Sequence, residues 1–96
     1  MHQTVLEVKL GFDHKQVLNL PGEKVRVLAV GARNKCVSMW IEAVGFVDTA
    51  QTTPVTVFMA MNNETYDDME GGQYVGTVLV DEKDLHIYVS GAPLSR

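Results

Sequence analysis

Apolar and polar residues alternate from the start of the chain. Between Thr4 and Phe12, the residues Leu6, Val8, Leu10 and Phe12 share one face, and Glu7, Lys9 and Gly11 share the other. A period of two predicts a strand with one wet side. Asp13-His14-Lys15 predicts a hairpin turn, and Gln16 to Leu20 a short return strand with Leu18 and Leu20 inward. Pro21-Gly22 predicts a type II turn, because Pro presets φ and Gly accepts a positive one. In Lys24 to Ala32, Val25, Val27 and Ala29 lie on one face, and Leu28 and Val30 on the other. Apolar residues on both faces point to a central strand or a contact surface.

Arg33-Asn34-Lys35 is a polar break, and Asn34 suits the left-handed backbone of a tight hairpin. Cys36 to Val47 reads as extended, with Val37, Met39, Ile41 and Ala43 opposite Trp40, and Gly45 marks a bulge. A Thr-rich loop, Asp48 to Pro54, precedes a fifth strand, Val55 to Met61. Asn62 to Gly72 is the longest irregular stretch. Asn63 is placed to cap one helical turn through Asp68, ended by Gly71-Gly72. Gln73 to Val80 and Leu85 to Ser90 predict a last hairpin turned by Asp81 to Asp84, before a fraying tail, 91–96. The expectation is one all-β domain over residues 1–96: a small antiparallel sandwich or partly open barrel of about seven strands.

Composition agrees with this. Fifteen of the 96 residues are Val, whose branched side chain fits a pleated surface. Charge is uneven. Residues 1–48 hold six bases and five acids, and residues 49–96 hold two bases and seven acids, giving −4 in all. That balance disfavours direct nucleic-acid or anionic-membrane binding. No apolar run reaches the roughly 18–20 residues of a membrane span. Met1-His2-Gln3-Thr4 begins no leader pattern, so a cytoplasmic location is expected.

Catalytic chemistry has few carriers. His2, His14 and His86 lack zinc-pair spacing, and Cys36, the single cysteine, rules out an internal disulfide and reads as a small buried hydrophobe. Gly71, Gly72 and Gly76 lack the Lys-Ser/Thr of a phosphate loop. Neither Asp67, Asp68 and Glu70 nor Asp81, Glu82 and Asp84 has the layout of a calcium loop. No cofactor, metal or enzymatic activity is expected. A four-residue loop at 81–84 would pair Val80 with Leu85, Val78 with Ile87 and Gly76 with Val89. The other face would then carry Leu79 beside His86, Thr77 beside Tyr88 and Val75 beside Ser90. Such a mixed face suits a polar ligand or a second subunit.

Leu18-Asn19-Leu20-Pro21-Gly22, Val25 to Val30, the isolated Trp40, Tyr74-Val75-Gly76-Thr77 and Leu85-His86-Ile87-Tyr88 together resemble a family of small uncharacterised phage proteins. The family carries a domain of unknown function with LP-x-G, a mid-chain Trp and a late GT before a His-containing strand. Met61-Asn62-Asn63 stands where that family tends to have Thr-Gly. The resemblance implies a phage origin and a small β fold. It implies no established activity; with so few carriers of catalytic chemistry, we expect a non-enzymatic phage binding protein acting in the host cytoplasm as counter-defence, sequestering a small nucleotide-like signal in a pocket of a homo-oligomer. His86, Tyr88, Trp40 and Tyr66 are the candidates to stack a base, with Thr77 beside them. Arg26, Arg33 and Lys35 are the candidates to hold phosphate. The alternatives are an inhibitor that meets a basic host protein through Glu64, Asp67, Asp68 and Glu70, or a virion component.

Overall fold

The two-residue period becomes seven strands among the described residues. They are β1 (Gln3–Leu10), β2 (Lys15–Pro21), β3 (Lys24–Arg33), β4 (Cys36–Val44), β5 (Thr52–Met61), β6 (Gln73–Val80) and β7 (Lys83–Ser90). The structure, a computed structural model, describes residues 3–45 and 51–94. His2, Val47 and Asp48 lie outside the described residues. Strands β1-β4-β3 form one sheet and β2-β5-β7-β6 a second, with every ladder antiparallel. The sheets pack face to face, and among the described residues no ladder joins them into a closed barrel. Of the two expected architectures, the sandwich is the one formed.

The core lies where the alternation predicts it. Val37, Met39 and Ile41 from β4 meet Val55 and Val57 from β5 and Ile87 and Val89 from β7, all without solvent exposure. These residues come from the inner strands, which are covered by neighbours on both edges. Pro54 is tolerated in β5 because the β7 ladder begins only at Thr56, so no neighbour on that side needs a backbone donor there. Both two-residue hairpins use left-handed pairs: Asn34 and Lys35 between β3 and β4, and Asp81 and Glu82 between β6 and β7.

Local rules gave way at several points. The segment 13–15 is a corner, not a hairpin turn, since β1 and β2 belong to different sheets. Gln16 replaces ladder bonds there: its Oε1 accepts from the Gly11 amide at 3.0 Å, and its Nε2 donates to the Gly11 carbonyl at 2.7 Å. Strand β3 is an edge, not a central strand. A bulge between Val27 and Ala29 turns Val30 inward and Ala29 outward. The last hairpin turns on two residues, not four, so Thr77 faces His86 and Leu79 faces Asp84. A shift of two keeps both faces intact. A second bulge, between Tyr74 and Gly76, sets Tyr74 rather than Val75 on the outer face, opposite Tyr88.

Three further expectations are corrected. No helical turn follows Asn63, which is itself left-handed at φ 64°. Cys36 is a half-buried free thiol rather than a buried one, because it falls on the outward parity of β4. The expected fraying of 91–96 does not describe 91–94. Gly91, at φ 96°, sits where a Cβ would lie 3.0 Å from the Pro54 carbonyl oxygen, so only glycine turns the chain there. Ala92 is buried, the Pro93 carbonyl accepts from the Val27 amide at 3.0 Å, and Leu94 bridges Val27 in parallel. The tail thus extends the edge that β3 leaves open.

Candidate functional site

One end of the sandwich carries a cleft of about 400 Å³. Phe12, from the β1–β2 corner, meets Met59 and Met61 from β5 and Val80 and Leu85 from the β6–β7 hairpin. Apart from Phe12, these are inner-face residues toward the ends of β5, β6 and β7, at the margin of the core. Phe12 was expected inward. Strand β1 ends at Leu10, the side chain swings to the mouth of the cleft, and 57% of it is exposed. Asp81 and Lys83 form a polar rim.

The remaining wall is built by the segment between β5 and β6, held to β2 by His14. The His14 ring sits 2.7 Å from the Met59 carbonyl oxygen through Nδ1 and 2.7 Å from Asp68 Oδ1 through Nε2. Tyr66 stacks on it, with centroids 4.0 Å apart and planes 10° from parallel. The Tyr66 hydroxyl accepts from the Met61 amide at 3.3 Å and donates to Glu64 Oε2 at 2.8 Å. The pKa of His14 is raised, first by its bond to Asp68 and then by the Met59 carbonyl. The pKa of Asp68 is lowered by the same bond. The Met61 amide pulls the Tyr66 pKa down, but Glu64, desolvation and Asp68 outweigh it and leave it raised.

Beside the cleft, on the outer face of the second sheet, runs a chain of polar side chains. Tyr74 Oη lies 2.6 Å from Thr77 Oγ1, which lies 2.9 Å from His86 Nδ1. His86 Nε2 lies 2.5 Å from Asn62 Oδ1, and Asn62 Nδ2 donates to Asp84 Oδ2 at 3.1 Å. The direction follows from the end. Asp84 only accepts, so Asn62 turns its NH2 outward and its oxygen to His86. His86 Nε2–H then donates, Nδ1 accepts from Thr77, and Thr77 accepts from Tyr74. Tyr88 lies edge-on to Tyr74 at 5.5 Å. Lys15, Phe58, Tyr88 and Tyr74 form one row across all four strands.

The expected site residues therefore separate. His86, Tyr88 and Thr77 do come together on the outer face of the second sheet. Trp40, Arg26 and Arg33 lie on the outer face of the first sheet, on the far side of the sandwich. Both arginines already have partners: Arg26 holds Glu42 at 2.7 Å, and Arg33 holds Glu7 at 2.9 Å. Lys35 stands in the β3–β4 turn. Tyr66 belongs to the cleft. Within the acidic set, Glu64 and Asp68 are bonded to Tyr66 and His14, while Asp67 and Glu70 are exposed.

Sequence reasoning passed over His14 and Phe12. No local signal marks His14, because its partners stand 45 and 54 residues further along. Only the β2–β5 register brings His14 level with Met59. No curated protein and no solved structure matches the chain. Residues 1–94 match the family described as a domain of unknown function, DUF7352, and the chain belongs to that family.

Proposed function

We propose that the domain is a non-enzymatic binding module whose site is the cleft between Phe12 and Tyr66. One observation carries this reading. An apolar floor of Met59, Met61, Val80 and Leu85 lies between an exposed phenylalanine ring and a tyrosine held in place by its stack on His14. Small-molecule sites have this form: a concave apolar surface of a few hundred Å³ with a few fixed polar groups. A flat ring can lie on the floor, with its polar edge toward Asp81, Lys83 or the His14–Asp68 pair.

The charge around the cleft narrows the ligand. Asp81 and Lys83 line it, and Glu64, Asp67, Asp68, Glu82 and Asp84 belong to the two segments that border it. A nucleobase or nucleoside fits this surface better than a nucleotide carrying several phosphates, and a planar cation fits it too. Sequestration of a nucleotide-like signal thus keeps its base in this proposal and gives up its phosphate grip, since Arg26 and Arg33 are paired elsewhere. The phage origin rests on the motif resemblance, and the host-cytoplasm setting and counter-defence role are proposed on the strength of that origin. A homo-oligomer is part of the same proposal, supported by the edge strands β1, β2 and β6, whose unpaired backbone groups can pair with a second copy.

Native mass spectrometry of freshly purified protein tests the reading. A retained small molecule in the wild type, lost in Phe12→Ala with the fold intact, supports it. The same retained mass in both proteins places binding elsewhere and overturns the assignment of the cleft.

A further inference from the structure

We propose that His14 is a doubly protonated clasp that holds the 62–72 segment closed against β2, so that pH sets how the cleft is walled. His14 Nδ1 faces the Met59 carbonyl oxygen and Nε2 faces a carboxylate oxygen of Asp68, each at 2.7 Å. Neither group can donate a proton to the ring while Asp68 is ionised. A neutral imidazole has one N–H, so one of these two contacts would set a lone pair against an oxygen. Only the imidazolium satisfies both.

The surroundings agree. From the 62–72 segment, Asp68 contacts the ring edge, and Tyr66 covers its face with Glu64 on the phenol. From β2, the neighbouring Lys15 opposes the cation, with its ammonium 5.9 Å from the centre of the Phe58 ring. From β5, the Met59 carbonyl accepts and the Phe58 ring lies 6.2 Å away. Asp81 and Lys83 line the same cleft from the β6–β7 hairpin. The balance favours the cation, and the His14 pKa is raised above 6.5 by Asp68 and then Met59.

The sign follows from linkage. His14 titrates higher in the closed state than in the open one, so the clasp is at full strength below about 6.5 and weakens as pH rises to the closed-state midpoint. Asp68 has a lowered pKa, so its share is present above 3.8 and is lost as pH falls through its depressed value. The clasp is therefore strongest in mildly acidic solution and loosens on either side. Loosening withdraws Tyr66 from the cleft, a consequence that rests on the binding reading above, whereas the clasp itself does not.

Hydrogen-exchange protection of the 62–72 amides, corrected for intrinsic exchange and followed from pH 5 to 9 beside the ring signals of His14, tests the clasp without any ligand. In the wild type, protection should hold below about 6.5 and then fall by at most about tenfold per pH unit, one proton's worth, until the His14 midpoint. His14→Phe keeps a ring for Tyr66 but has no N–H, so its loop should be open and flat with pH. Asp68→Asn should lower the His14 midpoint and move the fall with it. Protection of β4 and β5 should stay constant throughout. Flat wild-type protection across the His14 midpoint, or an unchanged fall in His14→Phe, overturns the proposal. A cleft that binds nothing leaves these results untouched.

Discussion

Tyr66 and His14 lie ring on ring, 4.0 Å apart and 10° from parallel, although 51 positions separate them in the chain. The stack and the two bonds of the tyrosine hydroxyl are separable. Tyr66→Phe keeps the ring and loses Glu64 and the Met61 amide as partners. It should loosen the 62–72 segment while leaving the cleft walled. Tyr66→Ala should remove the wall and abolish ligand retention. Comparing loop exchange with ligand retention in the two variants checks this. Equal behaviour of both would show that the ring has no role of its own.

The β6–β7 turn holds Asp81 at φ 50° and Glu82 at φ 65°, both left-handed and neither glycine. Left-handed backbone costs an ordinary residue roughly 1–2 kcal/mol, and Asn-Gly is the pair this turn type favours. Replacing Asp81-Glu82 with Asn-Gly should stabilise the domain by about 1 kcal/mol and raise its melting temperature by about 4–8 °C. Thermal unfolding of the double variant measures it.

Met39 is fully buried between the sheets. Met39→Ala should cost about 2–5 kcal/mol, through lost burial and the cavity left behind. A chain of 96 residues has little reserve against such a loss. Urea unfolding should show a lower midpoint with an unchanged slope.

On the far face, a Cβ at Gly31 would lie 3.2 Å from Cζ3 of Trp40. Gly31→Val should lift the indole from the strand at a cost of about 1 kcal/mol, near the centre of the range for single substitutions. Trp40 is the single tryptophan, so its fluorescence reports the change directly. The emission should shift to the red. Ligand retention in the cleft should not change, because Trp40 lies on the opposite side of the sandwich.

Much of the fold was legible because alternation is local. Val37, Met39, Ile41 and Ala43 fall inward by parity alone, and they are buried. The same parity keeps Thr77, His86 and Tyr88 on one face even though the turn is two residues shorter than expected. The errors came from features that parity cannot carry. The bulges at Leu28 and Val75 insert a residue and reverse the faces beyond them. The anchoring of the tail depends on β3 being an edge. The cleft was least legible, since Phe12, His14, Met61, Tyr66 and Leu85 meet only after both sheets and the 62–72 segment are in place.

The ligand proposed for the cleft is a flat, neutral or cationic ring. Backbone amide shifts of the 15N-labelled domain, followed during titration with tryptamine, adenosine and adenosine monophosphate, test it most directly. Tryptamine and adenosine should shift Phe12, His14, Met61, Tyr66 and Leu85, the monophosphate should do so more weakly, and Arg26, Arg33 and Trp40 should stay still. Unmoved cleft amides with all three compounds, or a strongest response to the monophosphate centred on Trp40 and the two arginines, would contradict it.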